Sequence, residues 1–210
     1  MRVVFWDWNG TLVNDAPVLC DVFNVLIESR GYAPVSLERY REIYRHPVQQ
    51  MYEDAGVDLS KHDFSDLARE WHEEYTSRVE TISLHHDTVA ALTALKTRGS
   101  RQMVLSALPQ SILIESVQQH GVRHFFEHVR GISNFLGDSK VAEGIDLART
   151  LGVPGSEITI VGDSSHDAEV ARELSAQCVL VARGGESRAR LEEQGFPVVD
   201  SFQSLIERVG

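Results

Sequence analysis

A chain of 210 residues with 42% apolar and 24% charged residues has an ordinary soluble composition, and it is long enough for one α/β domain with an insertion or for two small domains. A net charge of −11, with acids and bases interspersed, argues against a nucleic-acid partner, which needs a basic face, and no apolar run is long enough to span a membrane. Asp7 interrupts the first apolar stretch, so no signal peptide is expected; Cys20 and Cys178 lie far apart in apolar surroundings and are expected as buried free thiols in a cytoplasmic protein.

Val3-Val4-Phe5-Trp6 reads as a short buried strand that stops at Asp7, and Asn9-Gly10 follows as a turn signal. Aspartate is a poor strand former, so this carboxylate is not there for local stability. At the carboxyl edge of a sheet it would stand where open α/β folds bind ligands. The pattern then becomes helical. Val18, Leu19, Val22, Phe23, Leu26 and Ile27 predict a helix over 17–29 closed by Gly31. Ser36 is a predicted N-cap for a helix carrying Tyr40, Ile43 and Tyr44; Pro47 marks a boundary; 48–55 reads as a short helix; Asp63 or Ser65 opens a longer one through Leu67, Trp71, Tyr75 and Val79. No strand is expected between about 15 and 84.

From residue 85 strands and helices alternate. Helices are predicted over 87–97, 110–119, 139–151, 167–174, 187–194 and 201–209. Strands are predicted over 102–105 (running into Ser106), 129–132, 158–161 (running into Gly162-Asp163), 178–181 and 197–199. This alternation signals a parallel sheet with right-handed crossovers. The predicted fold class is therefore α/β: a doubly wound parallel sheet, a Rossmann-like core of residues 1–14 and 85–210, with an inserted all-helical cap of residues 15–84.

Three strands thus end in a polar residue: Asp7, Ser106 and Asp163. In adjacent parallel strands these ends converge, and Lys140, at the start of a helix, can join them. Asp167 lies one helical turn from Asp163. Carboxylates, a hydroxyl and an ammonium at helix N-termini make a site for phosphate and Mg²⁺.

With these residues in order, the chain resembles the haloacid dehalogenase-like hydrolase superfamily, in particular phosphatases with a small helical cap after the first strand, of the phosphoglycolate phosphatase-like kind. Asp7-Trp8-Asn9-Gly10-Thr11-Leu12 matches the nucleophile loop, Ser106 the phosphate-binding strand end, Lys140 the family lysine, and Gly162-Asp163-Ser164-Ser165-His166-Asp167 the acidic metal loop. The resemblance implies Asp7 as nucleophile in an in-line attack, an aspartyl-phosphate, and Mg²⁺ held by Asp7, the carbonyl of Asn9, Asp163 and Asp167. It implies a phosphoryl cradle of Gly10, Thr11, Ser106, Ala107 and Lys140 around a small phosphorylated metabolite, in a monomer or homodimer.

The chain departs from that family at Asn9, where phosphatases carry a second aspartate as general acid and base. An amide cannot do that work near neutral pH, and its loss costs typically about 10²–10⁴-fold in rate. Another family aspartate appears as Asn14, with Asp15 adjacent. Three readings stay open: a leaving group that needs no proton, such as that of an acyl phosphate or phosphoanhydride; another acid, with His166 the candidate; or slow turnover in a protein that mainly binds or senses a phosphometabolite. The acidic loop argues against dehalogenation, Asn9 against mutase chemistry, and the large cap against a receiver domain.

Other residues carry plainer expectations. His85-His86 reads as a solvated hinge rather than a metal pair. Arg39 and Arg41 read as a solvated face paired with Glu38 and Glu42. Arg45, beside His46 and before the Pro47 break, is a candidate substrate contact from the cap. Trp6 is expected in the core, Trp8 at the entrance and Trp71 in the cap core. Gly184-Gly185 reads as a turn rather than a phosphate loop.

Overall fold

The computed structural model describes residues 2–45, 48–133 and 140–208. His46, Pro47, Ser139 and Val209, which enter the expectations above, lie outside the described residues. Six strands form one parallel sheet: β1 Val3–Trp6, β2 Arg101–Pro109, β3 His128–Ile132, β4 Ile158–Gly162, β5 Gln177–Val181 and β6 Val198–Val199, in the spatial order β3-β2-β1-β4-β5-β6. β1 sits where the winding reverses, flanked by β2 and β4, with Trp6 level with Val104 on one side and Val161 on the other. That register brings Asp7, Ser106 and Asp163 to one edge on three neighbouring strands, as the sequence predicts.

The β1 burial pattern explains its unbroken apolar run. Val4 and Trp6 pack on one face of the sheet, Val3 and Phe5 on the other. A strand covered on both faces has no polar side. Helices α5 Thr88–Thr97, α6 Gln110–Gln119 and α10 Phe202–Arg208 cover the first face through Leu92, Leu113 and Phe202. Helices α7 Val141–Leu151, α8 Ser165–Leu174 and α9 Arg188–Glu192 cover the second through Leu147, Val170 and Leu191. Burying each such aliphatic side chain contributes about 1.5–3 kcal/mol. Trp6 also donates its Nε1–H to Gln102 Oε1 at 3.0 Å, so that the buried indole keeps a partner.

Between β1 and α5 lie four α-helices, α1 Ala16–Glu28, α2 Leu37–Ile43, α3 Val48–Asp54 and α4 Phe64–Arg78, in the stretch where the sequence predicts a helical cap. Ser36 caps α2 by accepting from Arg39 N, and Asp63 caps α4 by accepting from Ser65 N. The chain leaves and re-enters the core at one place: Asn14 N donates to Ser83 O at 2.8 Å and His85 N to Leu12 O at 3.0 Å. Cys20 and Cys178 are free and buried. No helix among the described residues is long and apolar enough to cross a membrane.

Two elements differ from the expectation. β2 does not stop at Ser106 but continues to Pro109, with a register shift against β3 between Leu105 and Pro109. Ser106 falls inside this irregular stretch, and pairing resumes at Pro109 with Ile132. Trp8 is not at an entrance: it is buried, with its Nε1–H on Ser116 Oγ at 3.1 Å.

Candidate active site

β1 delivers Asp7 to the sheet edge, and Asp7 N still donates to Val161 O at 2.8 Å before the chain turns away. Leu12 N and Val13 N both donate to Trp8 O, folding residues 8–13 into a tight loop. Gly10 has φ +71°, and a Cβ there would lie 2.4 Å from Asp163 Oδ2. Both the backbone sign and the close approach require glycine.

Asp163 is held on two sides. Thr11 Oγ1 donates to its Oδ1 at 2.8 Å and Gly185 N to its Oδ2 at 2.8 Å. A Cβ at Gly184 would lie 1.8 Å from Oδ2, so the Gly184-Gly185 turn also lets the backbone press against this carboxylate. Asp167, in the first turn of α8, accepts from Ser164 N at 3.1 Å and Ser164 Oγ at 2.6 Å. Lys140, at the N-terminus of α7, bonds Asp7 Oδ1 and lies 2.6 Å from Asp167 Oδ1. Ser106 is buried at the same edge, its Oγ accepting from Leu108 N at 3.1 Å, and Ala107 follows it, half-buried.

These groups are charged against each other in a dry place. Burial, with help from Asp167, pushes Asp7 up to about 7 against the pull of Lys140. Burial, then Asp7 and Asp167, hold Asp163 well above the usual carboxylate range. Burial works against Asp167 too, but Lys140 and Ser164 hold it below that range. Burial would strip the proton from Lys140; Asp167 and Asp7 outweigh it and keep the ammonium charged. Asp7, Asp163 and Asp167 each offer one oxygen, all within 4.8 Å of one another. Among the described residues, Lys140 is the ammonium that sits between two of these three carboxylates. An all-oxygen donor set with surplus negative charge fits a hard divalent cation.

Asn9 does not stand free. Its Nδ2 donates to Asp15 Oδ2 and to Tyr75 OH at 3.2 Å, the latter across from the cap. Asp15 is fully buried, accepts from Gly10 N at 2.6 Å, and is pushed up to about 6 by burial against the Asn9 bond. In the sequence Asp15 stands out only as the neighbour of Asn14. Asp15 stands at the N-cap of α1, which is all its position suggests, yet its side chain caps no N–H of that helix and turns to Asn9 and Gly10 instead. Tyr44 and Tyr75 were read as helix-face residues. Tyr44 stands over Gly185, its ring 3.2 Å from where a Cβ would be. Burial and then Asp163, Asp15, Glu186 and Asp7 raise its phenol.

Several expectations are corrected. His85 is half-buried, not solvated, with Nε2 3.3 Å from Gly10 O, because the chain re-enters the core against the nucleophile loop; His86 is exposed. Arg39 pairs with Glu42 on an exposed face as expected. Arg41 instead reaches the core, donating to Gly184 O at 3.0 Å and Arg183 O at 3.1 Å. Arg45 pairs with Asp54 at the end of α3. His166 Nε2 accepts from Lys140 N at 3.2 Å, an acceptor role that needs a neutral ring at that nitrogen. Trp71 is half-buried rather than core, stacked on Tyr75 with centroids 5.0 Å apart.

Comparison with known proteins identifies the family and the fold. The family model described as haloacid dehalogenase-like hydrolase matches residues 4–181. A phosphoglycolate phosphatase of Rhodobacter capsulatus is 24% identical over 185 residues, 86% of this chain and 84% of its own. A haloacid dehalogenase-like family hydrolase of Streptococcus pneumoniae superposes with a TM-score of 0.86 over 100% of this chain and 99% of its own, at 16% identity. A hydrolase of that family from Deinococcus radiodurans, solved with bound phosphate and sodium, superposes with a TM-score of 0.73 over 97% of this chain and 92% of its own, at 19% identity.

Proposed function

The chain belongs to the haloacid dehalogenase-like hydrolase family, and on that premise we propose that it hydrolyses a phosphorylated small molecule through an aspartyl-phosphate on Asp7, with Mg²⁺ as cofactor. The observation that carries this reading is the burial of Asp7, Asp163 and Asp167 around the Lys140 ammonium, beside Ser106. Asp7, Asp163, Asp167 and the Asn9 carbonyl are the residues that would hold the cation. When bound, it supplies the positive charge that lets an anionic carboxylate approach a phosphate dianion.

The chain's own residues do the rest. Asp7 forms a bond to phosphorus as the bond from phosphorus to the leaving oxygen breaks, and that oxygen departs with the electron pair. Lys140, Ser106, Ala107, Gly10 and Thr11 hold the phosphoryl oxygens. Water then attacks phosphorus, the Asp7 carboxylate is released, inorganic phosphate forms, and the proton passes to solvent. Residues 15–84 close over the edge as a cap, a division supported by the paired hinge at 12–14 and 83–85. That relatives of this chain bear the name phosphoglycolate phosphatase supports a phosphomonoester substrate.

Asn9 sets the limits of this activity. Its amide is committed to Asp15 and Tyr75 and gives no proton to a departing alkoxide. Turnover is therefore fastest on leaving groups that need none. The same observation favours one second reading, a weak catalyst that mainly binds a phosphometabolite. Incubation with Mg²⁺ and a panel of phosphomonoesters and acyl phosphates, beside an Asp7→Asn control, decides between them. Asp7-dependent turnover upholds hydrolysis; none on any substrate leaves the binding role; activity surviving in the control removes Asp7 as nucleophile.

A further inference from the structure

Beside the site, between α4 of the cap and α6 of the core, opens a cleft of about 480 Å³. Its walls touch the catalytic edge from two directions. Tyr75, in one wall, bonds Asn9 Nδ2, and Leu108, in the other, donates its N–H to Ser106 Oγ. A group attached to a phosphate at Asp7 thus has this cleft next to it. Trp71 and Tyr75 stand in it as a nearly parallel pair, 9° apart, with Tyr75 buried and Trp71 half-exposed. Ile112 and Leu108 add aliphatic surface opposite.

Its charge is one-sided. Among the described residues that line it, none is lysine or arginine and the one imidazole, His72, is exposed, while Glu80 and Glu115 stand exposed on the rim. Arg78, on the same helix, turns to Glu74, with Nε–Oε1 at 2.7 Å. A small carboxylate entering here would be desolvated with no lysine or arginine to meet it, facing two like charges. A flat ring loses little on desolvation and gains a stacking partner in Trp71; a cationic ring gains the acidic rim as well. The volume is that of an ordinary small-molecule pocket and admits one or two fused rings.

We infer that the cleft between α4 and α6 takes the leaving group of the substrate, and that this group carries a planar aromatic ring, uncharged or cationic, rather than a small anionic acid. The inference rests on the hydrolase reading above and names its substrate class. It also fits the amide at position 9. A phenol-like oxygen ionises near pH 10, far more readily than an alcohol, so it departs with less need of a proton donor.

The test is calorimetric titration of the full chain, with Mg²⁺, using benzylphosphonate and phosphonoacetate. Neither is hydrolysed, and they differ in bearing a ring or a carboxylate. Wild type binds benzylphosphonate about tenfold or more tightly than phosphonoacetate. Trp71→Ala removes about tenfold of benzylphosphonate affinity, the order expected from one aromatic contact, and leaves phosphonoacetate unchanged; Trp71→Phe retains most of the preference. Glu80→Lys with Glu115→Lys shifts the preference toward phosphonoacetate, which reads the charge argument even if Trp71→Ala fails to fold. Equal or tighter phosphonoacetate binding in wild type, binding of neither, or equal weakening of both in Trp71→Ala overturns the inference. Turnover of acetyl phosphate, too small to fill the cleft, tests the hydrolase reading separately. A ring preference without Asp7-dependent turnover sinks that reading alone, and turnover without a ring preference sinks this one alone.

Discussion

Asn9 and Asp15 form one buried unit: the Asn9 amide donates to Asp15 Oδ2 while Gly10 N donates to Oδ1. The amide therefore matches the carboxylate behind it, and an aspartate at position 9 would meet a like charge in a dry site. Asn9→Asp alone is expected to raise turnover of an alkyl phosphate by about tenfold or more, below the full range for a general acid, and to lower the melting temperature above pH 6 as both carboxylates ionise. Asn9→Asp with Asp15→Asn should keep the gain and recover the melting temperature. Steady-state kinetics on glycerol phosphate with thermal melts reads both, and a double variant no faster than wild type removes the missing-proton account.

The three carboxylates repel one another, so a cation should stabilise the fold. Mg²⁺ at a hundredfold its dissociation constant is expected to add about 2.7 kcal/mol, which is several degrees in a domain of this size. Asp163→Asn or Asp167→Asn should abolish that rise. Differential scanning calorimetry with Mg²⁺ and with chelator is the check, and a rise that survives in both variants would place the cation elsewhere.

Gly184 isolates close approach from backbone freedom, since its φ is not in the left-handed region while a Cβ would fall 1.8 Å from Asp163 Oδ2. Gly184→Ala should displace that carboxylate and weaken the Mg²⁺-dependent stabilisation severalfold. Gly31→Ala, with φ +82° and nothing within 4 Å, should lower stability by about 1 kcal/mol and leave the Mg²⁺ response alone. Titrations of Mg²⁺ followed by melting temperature separate the two effects; equal responses would show that the contact with Asp163 does not matter.

His85 gives the fold an acid limb. Burial, then Arg183, pushes it down to about 4 from an ordinary 6.5. As pH falls below 6.5 the unfolded chain takes the proton first, and the folded chain follows only near 4. Stability therefore falls with pH across that window. His85→Gln should flatten the pH dependence of the melting temperature there, and an unchanged slope would mean the ring is solvated.

Much of the fold was legible because its signals are local. An apolar run such as Val3–Trp6 reads as a strand buried on both faces, and Ser36 and Asp63 announce helices by their own capping chemistry. Asp7, Ser106 and Asp163 could be placed on one edge from the sequence, because neighbouring parallel strands run toward it together, even though β2 continues past Ser106 to Pro109. Trp8 and Arg41 depart from their sequence expectation for one reason. Each is a long side chain whose partner lies far along the chain: Trp8 reaches Ser116 and Arg41 reaches Gly184. Trp71 differs: its partner Tyr75 is one helical turn away, and its exposure comes from the cleft it lines.

By itself, then, the sequence determined the order of elements, the place of the helical run after β1 and the identities of the acidic and basic groups at the sheet edge. Periodicity, caps and turn residues act over a few positions and need no partner to be read. Only the tertiary structure decided what those groups meet: that Asn9 is bound to Asp15, that Asp163 is held against Gly10 and Gly184, and that the neighbouring cleft is aromatic with an acidic rim. Hydrogen bonds and charge interactions depend on distances of a few ångströms between residues far apart in the chain, as from Thr11 to Asp163, separated by 152 positions, and chain order does not encode such distances.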